Sequence, residues 1–271
     1  MAQAKTKTVA KKSVAKKIPS LKKPAAKKPA AKKPAKNKIK AARIIYLLDR
    51  SGSMERLIND AIGSYNTFKG QQQAIKSPTM WNAFQFDNQY ESIIENTPVQ
   101  DVSDLTDKVY YARGTTAYVD ALGKTITTFK ASNDPKVKTI LVVMTDGYEN
   151  ASREFTAEQV KALVAEVQEK LDWEVLFFGA NIDALAVGGS LGVAAASTTN
   201  FDFNTKGFAD AGMTLSVGAS MARGVPMATV YTAAVGKQLS EDDIKKMSKG
   251  GKADMTQLYQ NIKKDTEETG K

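Results

Sequence analysis

The sequence of 271 residues contains no cysteine and no histidine. Without cysteine there are no disulfides, no thiolate nucleophile and no zinc–thiolate centre. Without histidine there is no Ser–His–Asp machinery and no imidazole general base, and most zinc or iron sites are out of reach. The two absences together remove the commonest hydrolase mechanisms. Lack of cysteine fits a reducing cytosol without requiring one. No apolar run approaches the length of a transmembrane helix, and no apolar h-region follows the positively charged start. A cytoplasmic protein without a membrane partner is therefore expected.

Acidic residues are missing from one end only. Residues 1–40 hold fifteen of the 39 Lys and Arg, all of them Lys, and no Asp or Glu. That leaves 24 basic against 29 acidic residues in the rest, a net charge of −5 hidden beneath an overall +10. Lys22–Ala35 repeats Lys-Lys-Pro-Ala-Ala, and prolines at 19, 24, 29 and 34 interrupt any helix. Mutually repelling lysines then favour an extended, disordered arm, similar in composition alone to linker-histone tails. Two readings of the arm stay open. One is salt-sensitive, non-specific attraction to nucleic acid or another polyanion, which would bring the protein to the nucleoid. The other is a solvated tether that binds nothing specific.

The remainder is large enough for one ordinary domain with its own core. Its organising stretch begins with Ile44–Leu48, five apolar or aromatic residues in a row, which reads as a strand buried on both faces. The run stops at Asp49, and Ser51 and Ser53 follow around Gly52. A helical pattern comes next, with Ile58, Ala61, Ile62, Tyr65 and Phe68 on one face. Strand, polar loop and helix start place Asp49, Ser51 and Ser53 at the carboxyl edge of a sheet, where open α/β folds bind ligands. Three side-chain oxygens in five residues suit a hard cation such as Mg2+. Hydroxyls bring no formal charge, so such an ion would favour an anionic ligand from outside. The competing reading is that the serines only cap the helix.

Further along, Trp81–Asp87 and Tyr90–Glu95 read as a hairpin at a sheet edge, with Asp87 near the site or simply in the turn. Asp101–Lys108 reads as a helical turn. Arg113-Gly114-Thr115-Thr116 precedes a helix through Ala117, Ala121, Leu122, Ile126 and Phe129, where a threonine serves as cap or as a third hydroxyl. Thr139–Met144 is a second apolar strand, ending in Thr145-Asp146-Gly147. Thr156–Gln159 is a capping box opening a helix through Leu171. Trp173–Gly179 is a third buried strand, Asn181–Leu191 a short helix ending at Gly192, Val193–Ala196 an edge strand and Lys206–Ala222 a last helix. Alternating strands and helices predict an α/β, doubly wound sheet. From Gly224 the pattern weakens, and Ser240–Ser248 and Asp254–Lys264 read as short helices.

Asp49, Ser51 and Ser53, then Thr116, then Asp146 before Gly147, resemble the von Willebrand factor type A domain with its metal-ion-dependent adhesion site. The stretches Leu48–Met54, Thr145–Glu154 and Phe178–Ala184 look like small stand-alone members from bacteria and their phages. The resemblance covers residues 42–223 and implies a mostly parallel, Rossmann-like sheet flanked by helices. It divides the chain into the arm at 1–40, a domain at 41–223 and a charged extension at 224–271, partly helical or disordered. It implies that Ser51, Ser53 and Thr116 contact Mg2+, Mn2+ or Ca2+ directly, while Asp49 and Asp146 act largely through water. Thr116 is favoured over Thr115 because relatives place this threonine five residues before an alanine, here Ala121. A protein partner would complete the shell with a carboxylate. Gly52 and Gly114 would permit tight turns, and Arg50 and Tyr118 would line the rim unless the arginine is merely solvated and the tyrosine packed.

The expected function is a non-enzymatic, cation-dependent protein-binding module tethered to polyanions. Nucleic-acid compaction through the arm, with the domain as recruiter, is one alternative. A Mg2+-dependent phosphatase-like hydrolase is another; its resemblance to the haloacid-dehalogenase phosphatases fails at Ser51, where that family implies a general-acid aspartate, and no His or Cys is present to move a proton.

Overall fold

A computed structural model describes residues 39–180, 182–202, 204–235, 238–240, 242–243, 248–249, 252–253, 261–262, 264–265 and 268. The expected arm, apart from residues 39 and 40, lies outside these, as do Asn181 and most of the two expected C-terminal helices. The chain divides into two units, Met1–Lys36 and Asn37–Lys271, and the described residues all belong to the second.

Six strands form one sheet: β1 Ala41–Asp49, β2 Thr79–Phe86, β3 Tyr90–Pro98, β4 Val137–Thr145, β5 Glu174–Ala180 and β6 Thr198–Phe201. Their order is β3-β2-β1-β4-β5-β6, all parallel except β3 against β2. The continuous apolar run of β1 therefore sits in the middle, with Ile44 facing Trp81 on one neighbour and Ile140 on the other. Alternation splits its side chains between two cores. Ile44, Tyr46 and Leu48 pack beneath helices α1 (Ile58–Ala74) and α5 (Thr205–Ala222). Ile45 and Leu47 pack beneath α2 (Tyr118–Lys130), α3 (Ala157–Leu171) and α4 (Ala184–Ser190). The expected doubly wound α/β sheet is what forms.

The first core is built on aromatic rings. Tyr46 and Trp81 stack 6.5 Å apart, each has Tyr65 and Phe68 within 5.2–5.8 Å between centroids, and the Trp81 indole N–H donates to the Tyr65 hydroxyl at 2.7 Å. Trp81 is completely buried, so its truncation to alanine would cost about 3–5 kcal/mol.

Several elements differ from expectation. The edge strand lies at Thr198–Phe201, not Val193–Ala196. Gly192, at φ +80°, closes α4 in a Schellman turn, with Gly192 N–H donating to Gly189 and Val193 N–H to Gly188. Val193 is thus committed to ending the helix and cannot open a strand. The turn expected at Asp101–Lys108 forms only at the end of that span, where Thr106 O accepts Val109 and Tyr110 N–H; a short 3₁₀ turn at Val99–Asp101 and an irregular climb along α1 precede it. Asn66 brackets the Leu105 backbone, accepting from its N–H and donating to its carbonyl, while Lys69 donates to Val102 O and Gln73 to Val99 O. Side chains of α1 take the place of a ladder. A further helix, α6 (Met227–Val235), was not expected. Val230, Tyr231 and Val235 bury against Val217 and Val225, and apolar residues all round leave no periodic signal. Ser248, expected in a helix, belongs to a two-residue strand paired with Lys252–Ala253.

Candidate metal centre at the carboxyl edge of the sheet

The central strands β1 and β4 both end in an acid, Asp49 and then Asp146 just past Thr145. Asp49 is fully buried and Asp146 nearly so. Asp49 Oδ1 accepts the Ser51 N–H at 2.7 Å, and Oδ2 accepts the Thr145 hydroxyl. The Tyr110 hydroxyl donates to the Asp49 carbonyl. Ser53 Oγ donates to Asp146 Oδ1 at 2.7 Å and lies 3.1 Å from Ser51 Oγ. Because Ser53 spends its single hydrogen on Asp146, Ser51 must donate to Ser53. Ser51 flanks a 3₁₀ turn, Gly52–Leu57, but its side chain makes no capping bond. The hydroxyls turn inward to the carboxylates instead.

Thr116 joins them from the second loop. A Cβ placed on Gly147 would stand 3.0 Å from Thr116 Oγ1 and 3.7 Å from Ser53 Oγ, so both hydroxyls converge beside the Asp146–Gly147 backbone. Thr116 is buried and neighbouring Thr115 exposed, and α2 begins after Ala117 without a side-chain cap. All five expected residues, Asp49, Ser51, Ser53, Thr116 and Asp146, therefore meet at one strand edge.

The electrostatics of the cluster are unbalanced. Burial pushes the Asp49 carboxyl up to about 7, opposed by the bonds from Thr145 and Ser51 and aided by the nearby Asp146. Burial also raises Asp146, which its Ser53 bond counters. Asp146 Oδ2 is buried with no hydrogen-bond partner. Among the described residues, no Lys or Arg forms an ion pair with either acid. A hard divalent cation, or a water bound to it, suits such a set: three hydroxyls and two carboxylates, with one carboxylate oxygen unpartnered. Among the described residues no three of His, Cys, Asp and Glu assemble into a metal cluster. Here the donor set depends on hydroxyls.

Arg50, between Asp49 and Ser51, is completely buried, not solvated. Its guanidinium lies 3.1 Å from Asp87 and 2.7 Å from Glu91, with the Tyr111 ring 5.9 Å away. Two of its nitrogens lack well-aligned hydrogen bonds, so the contact is chiefly ionic. Arg113 reaches the same two acids, donating to Asp87 at 2.6 Å. Those arginines hold the Glu91 carboxyl below its ordinary range. Asp87 is both turn and site neighbour: its Oδ1 accepts the Gln89 N–H, and its carbonyl accepts Ala117 N–H. Tyr118 is packed, edge-on to Phe177. Gly114 sits at φ +69°, and a Cβ added there would stand 2.3 Å from Asn88 Oδ1, so the position demands glycine. Gly52 has no such constraint, its nearest neighbour being 3.5 Å away.

Sequence reasoning gave the loop after Asp146 a family likeness but no structural role. Glu149 accepts from Val119, Ala151 and Ser152 N–H, and the Ser152 hydroxyl accepts Asp120 N–H. Asp120 in return accepts from Arg153, Glu154 and Phe155. The start of α2 is thus capped from another loop, a pairing that no local pattern announces.

A profile of the family described as "VWA domain containing CoxE-like protein" matches residues 13–171. No curated protein matches. Among solved structures, proximal thread matrix protein 1 from the mussel byssus is similar at 18% identity and TM-score 0.47, over 65% of this chain and 46% of that one. The von Willebrand factor type A protein from Catenulispora acidiphila gives 14% and 0.49, over 67% and 43%. The manganese-loaded TRAP protein of Plasmodium vivax gives 16% and 0.47, over 62% and 70%. This chain thus spans under half the length of the first two. With more than half of its residues matched by the family profile, the chain belongs to the von Willebrand factor type A domain family of CoxE-like proteins.

Proposed function

We propose that this protein is a divalent-cation-dependent protein-interaction module that acts by binding, without turnover. Ser51, Ser53 and Thr116 would hold Mg2+, Mn2+ or Ca2+ through their hydroxyls, with Asp49 and Asp146 supplying the charge. When bound, the ion provides a positive site for a carboxylate donated by a partner protein. The observation that carries this reading is the buried Asp146 Oδ2 without a partner, beside converging hydroxyls and a second buried acid. Leaving a carboxylate oxygen desolvated and unpaired is costly unless something completes it.

Exposed apolar side chains support an interface at the same edge. Tyr148 follows Asp146 by two residues, and Tyr111 lies against Arg50; both are about half exposed, at 59% and 47%. Tyrosine is enriched where proteins meet. The absence of histidine and cysteine favours binding over hydrolysis, since proton transfer has no obvious agent. Among the described residues no helix is long and apolar enough to cross a membrane. The Lys-rich residues 1–40 would tether the module to nucleic acid or another polyanion, in the cytoplasm and at the nucleoid where DNA is the anion.

Affinity capture with the full chain tests the module. Partners should be retained with Mg2+, released by EDTA and absent with Asp49→Ala. Capture indifferent to both changes would reject it. The tether has its own test: deleting residues 1–40 should abolish DNA binding that weakens steeply with salt.

A further inference from the structure

Thr116 Oγ1 lies 3.0 Å from where a Cβ on Gly147 would stand, and the backbone at 116 carries the side chain there. We propose that Asn150 is a positioning residue that fixes this backbone and thereby delivers the Thr116 hydroxyl to the cation; the inference rests on the metal-site reading above.

Both backbone groups of Thr116 end on that one residue. Thr116 N–H donates to Asn150 Oδ1 at 2.9 Å, and Asn150 N–H donates to Thr116 O at 3.0 Å. On its other flank the loop is tied by three main-chain bonds, Gly52 N–H to Gly114 O, Arg113 N–H to Arg50 O and Ala117 N–H to Asp87 O, and by the guanidinium of Arg113, three residues before the threonine, on Asp87. The main-chain ties tolerate any side chain at the donor. The Asn150 tie is different, because an amide oxygen reaches across from the loop after β4. That same loop carries Asp146, four residues earlier. Asn150 therefore locks the threonine loop to the aspartate loop, and the 3.0 Å approach of Thr116 Oγ1 to the Gly147 Cβ position records how close the two are drawn.

Helix α2 does not do this job. It begins after Ala117, and its first free N–H groups are taken by Glu149 and Ser152. These bonds fix the helix end one turn beyond the threonine. Asn150 itself is exposed, so replacing it opens no cavity in either core. Its effect on ion affinity is then separable from an effect on the fold. Because Mg2+ demands near-ideal octahedral geometry and Ca2+ tolerates irregular shells, a displaced hydroxyl should penalise Mg2+ more.

The test is calorimetric titration of the full chain with MgCl2 and CaCl2. Asn150→Ala should weaken Mg2+ binding about tenfold or more, the range seen when supports of metal ligands are removed, with a smaller loss for Ca2+. Asn150→Asp keeps the acceptor oxygen and should restore parent affinity. In a Thr116→Val background, Asn150→Ala should cause no further loss, since its route to the ion is already gone. Thermal unfolding in EDTA checks that the variants remain folded. Equal affinity of parent and Asn150→Ala would overturn the proposal, as would a full additional loss in the Thr116→Val background or equal penalties for the two ions. A parent that binds neither ion would instead reject the metal-site reading itself.

Discussion

The two ends of the sheet handle buried charge in opposite ways. At the amino edge, where β1 and β2 begin, Arg223 is completely buried and, among the described residues, has no carboxylate paired with it. The chain nevertheless supplies its partners: Gln72 Oε1 at 2.9 Å, Thr79 Oγ1 at 2.8 Å, the Ser77 carbonyl at 3.3 Å and the Lys40 carbonyl at 3.5 Å. Lys40 N–H in turn donates to Arg223 O, tying the start of β1 to the end of α5. Burial lowers its pKa to about 10, so the guanidinium stays charged at neutral pH. At the carboxyl edge, Asp49 and Asp146 are similarly enclosed, yet one oxygen has no partner and no described Lys or Arg pairs with either acid. At the amino end the buried charge is met within the chain, and the buried atom left without a partner is a neutral one, Gln72 Nε2. At the carboxyl end the atom left without a partner belongs to an acid, Asp146 Oδ2. The contrast lies in which buried charge the chain itself satisfies.

Arg223→Met should cause the largest loss. It strands the Gln72 and Thr79 acceptors in a buried site, at about 3 kcal/mol or more in total. For a domain of this size that lowers the melting temperature by roughly 6–12 °C, measurable by calorimetric scanning. Mg2+ affinity should stay at the parent value. Asp146→Asn should do the reverse: metal-free melting temperature unchanged or raised by a few degrees, and stabilisation by Mg2+ abolished. A severe metal-free destabilisation there would break the comparison, because Asp146 would then belong to the scaffold.

A smaller effect concerns pH. The Asp49 pKa is raised on folding from 3.8 to about 7, so between those values the folded state holds a proton that the unfolded state has lost. Metal-free stability should therefore fall as pH rises from about 4 to about 7. Mg2+ affinity should move the other way, weakening below about pH 7 as protons compete for the carboxylate. Melting curves with and without Mg2+ at pH 5, 6 and 7.5 would read both trends.

How legible this was depended on how local the determinants are. The central strand, the Asp49-x-Ser51-x-Ser53 turn and the capping box at Thr156 are set by neighbours in sequence. The capping box forms as its pattern dictates, with Gln159 N–H donating to the Thr156 hydroxyl and Thr156 N–H to Gln159 Oε1. The determinants that sequence reasoning missed act across the chain. Arg50 is buried because Asp87 and Glu91 arrive from a hairpin, Arg223 because Gln72 and Thr79 arrive from α1 and β2. Asn150 grips a threonine 34 residues earlier. Helix α6 was invisible because uniformly apolar surroundings erase periodicity, and β6 was displaced because a Schellman turn consumed Val193.

The central claim is that the carboxyl edge is completed by a divalent cation. Its most direct test is calorimetric titration of the full chain with Mg2+ and Mn2+, beside an Asp49→Ala/Asp146→Ala variant. One saturable site is expected in the parent and none in the variant, with both proteins folded. Heat of binding that is the same in both, or absent from the parent, would contradict it.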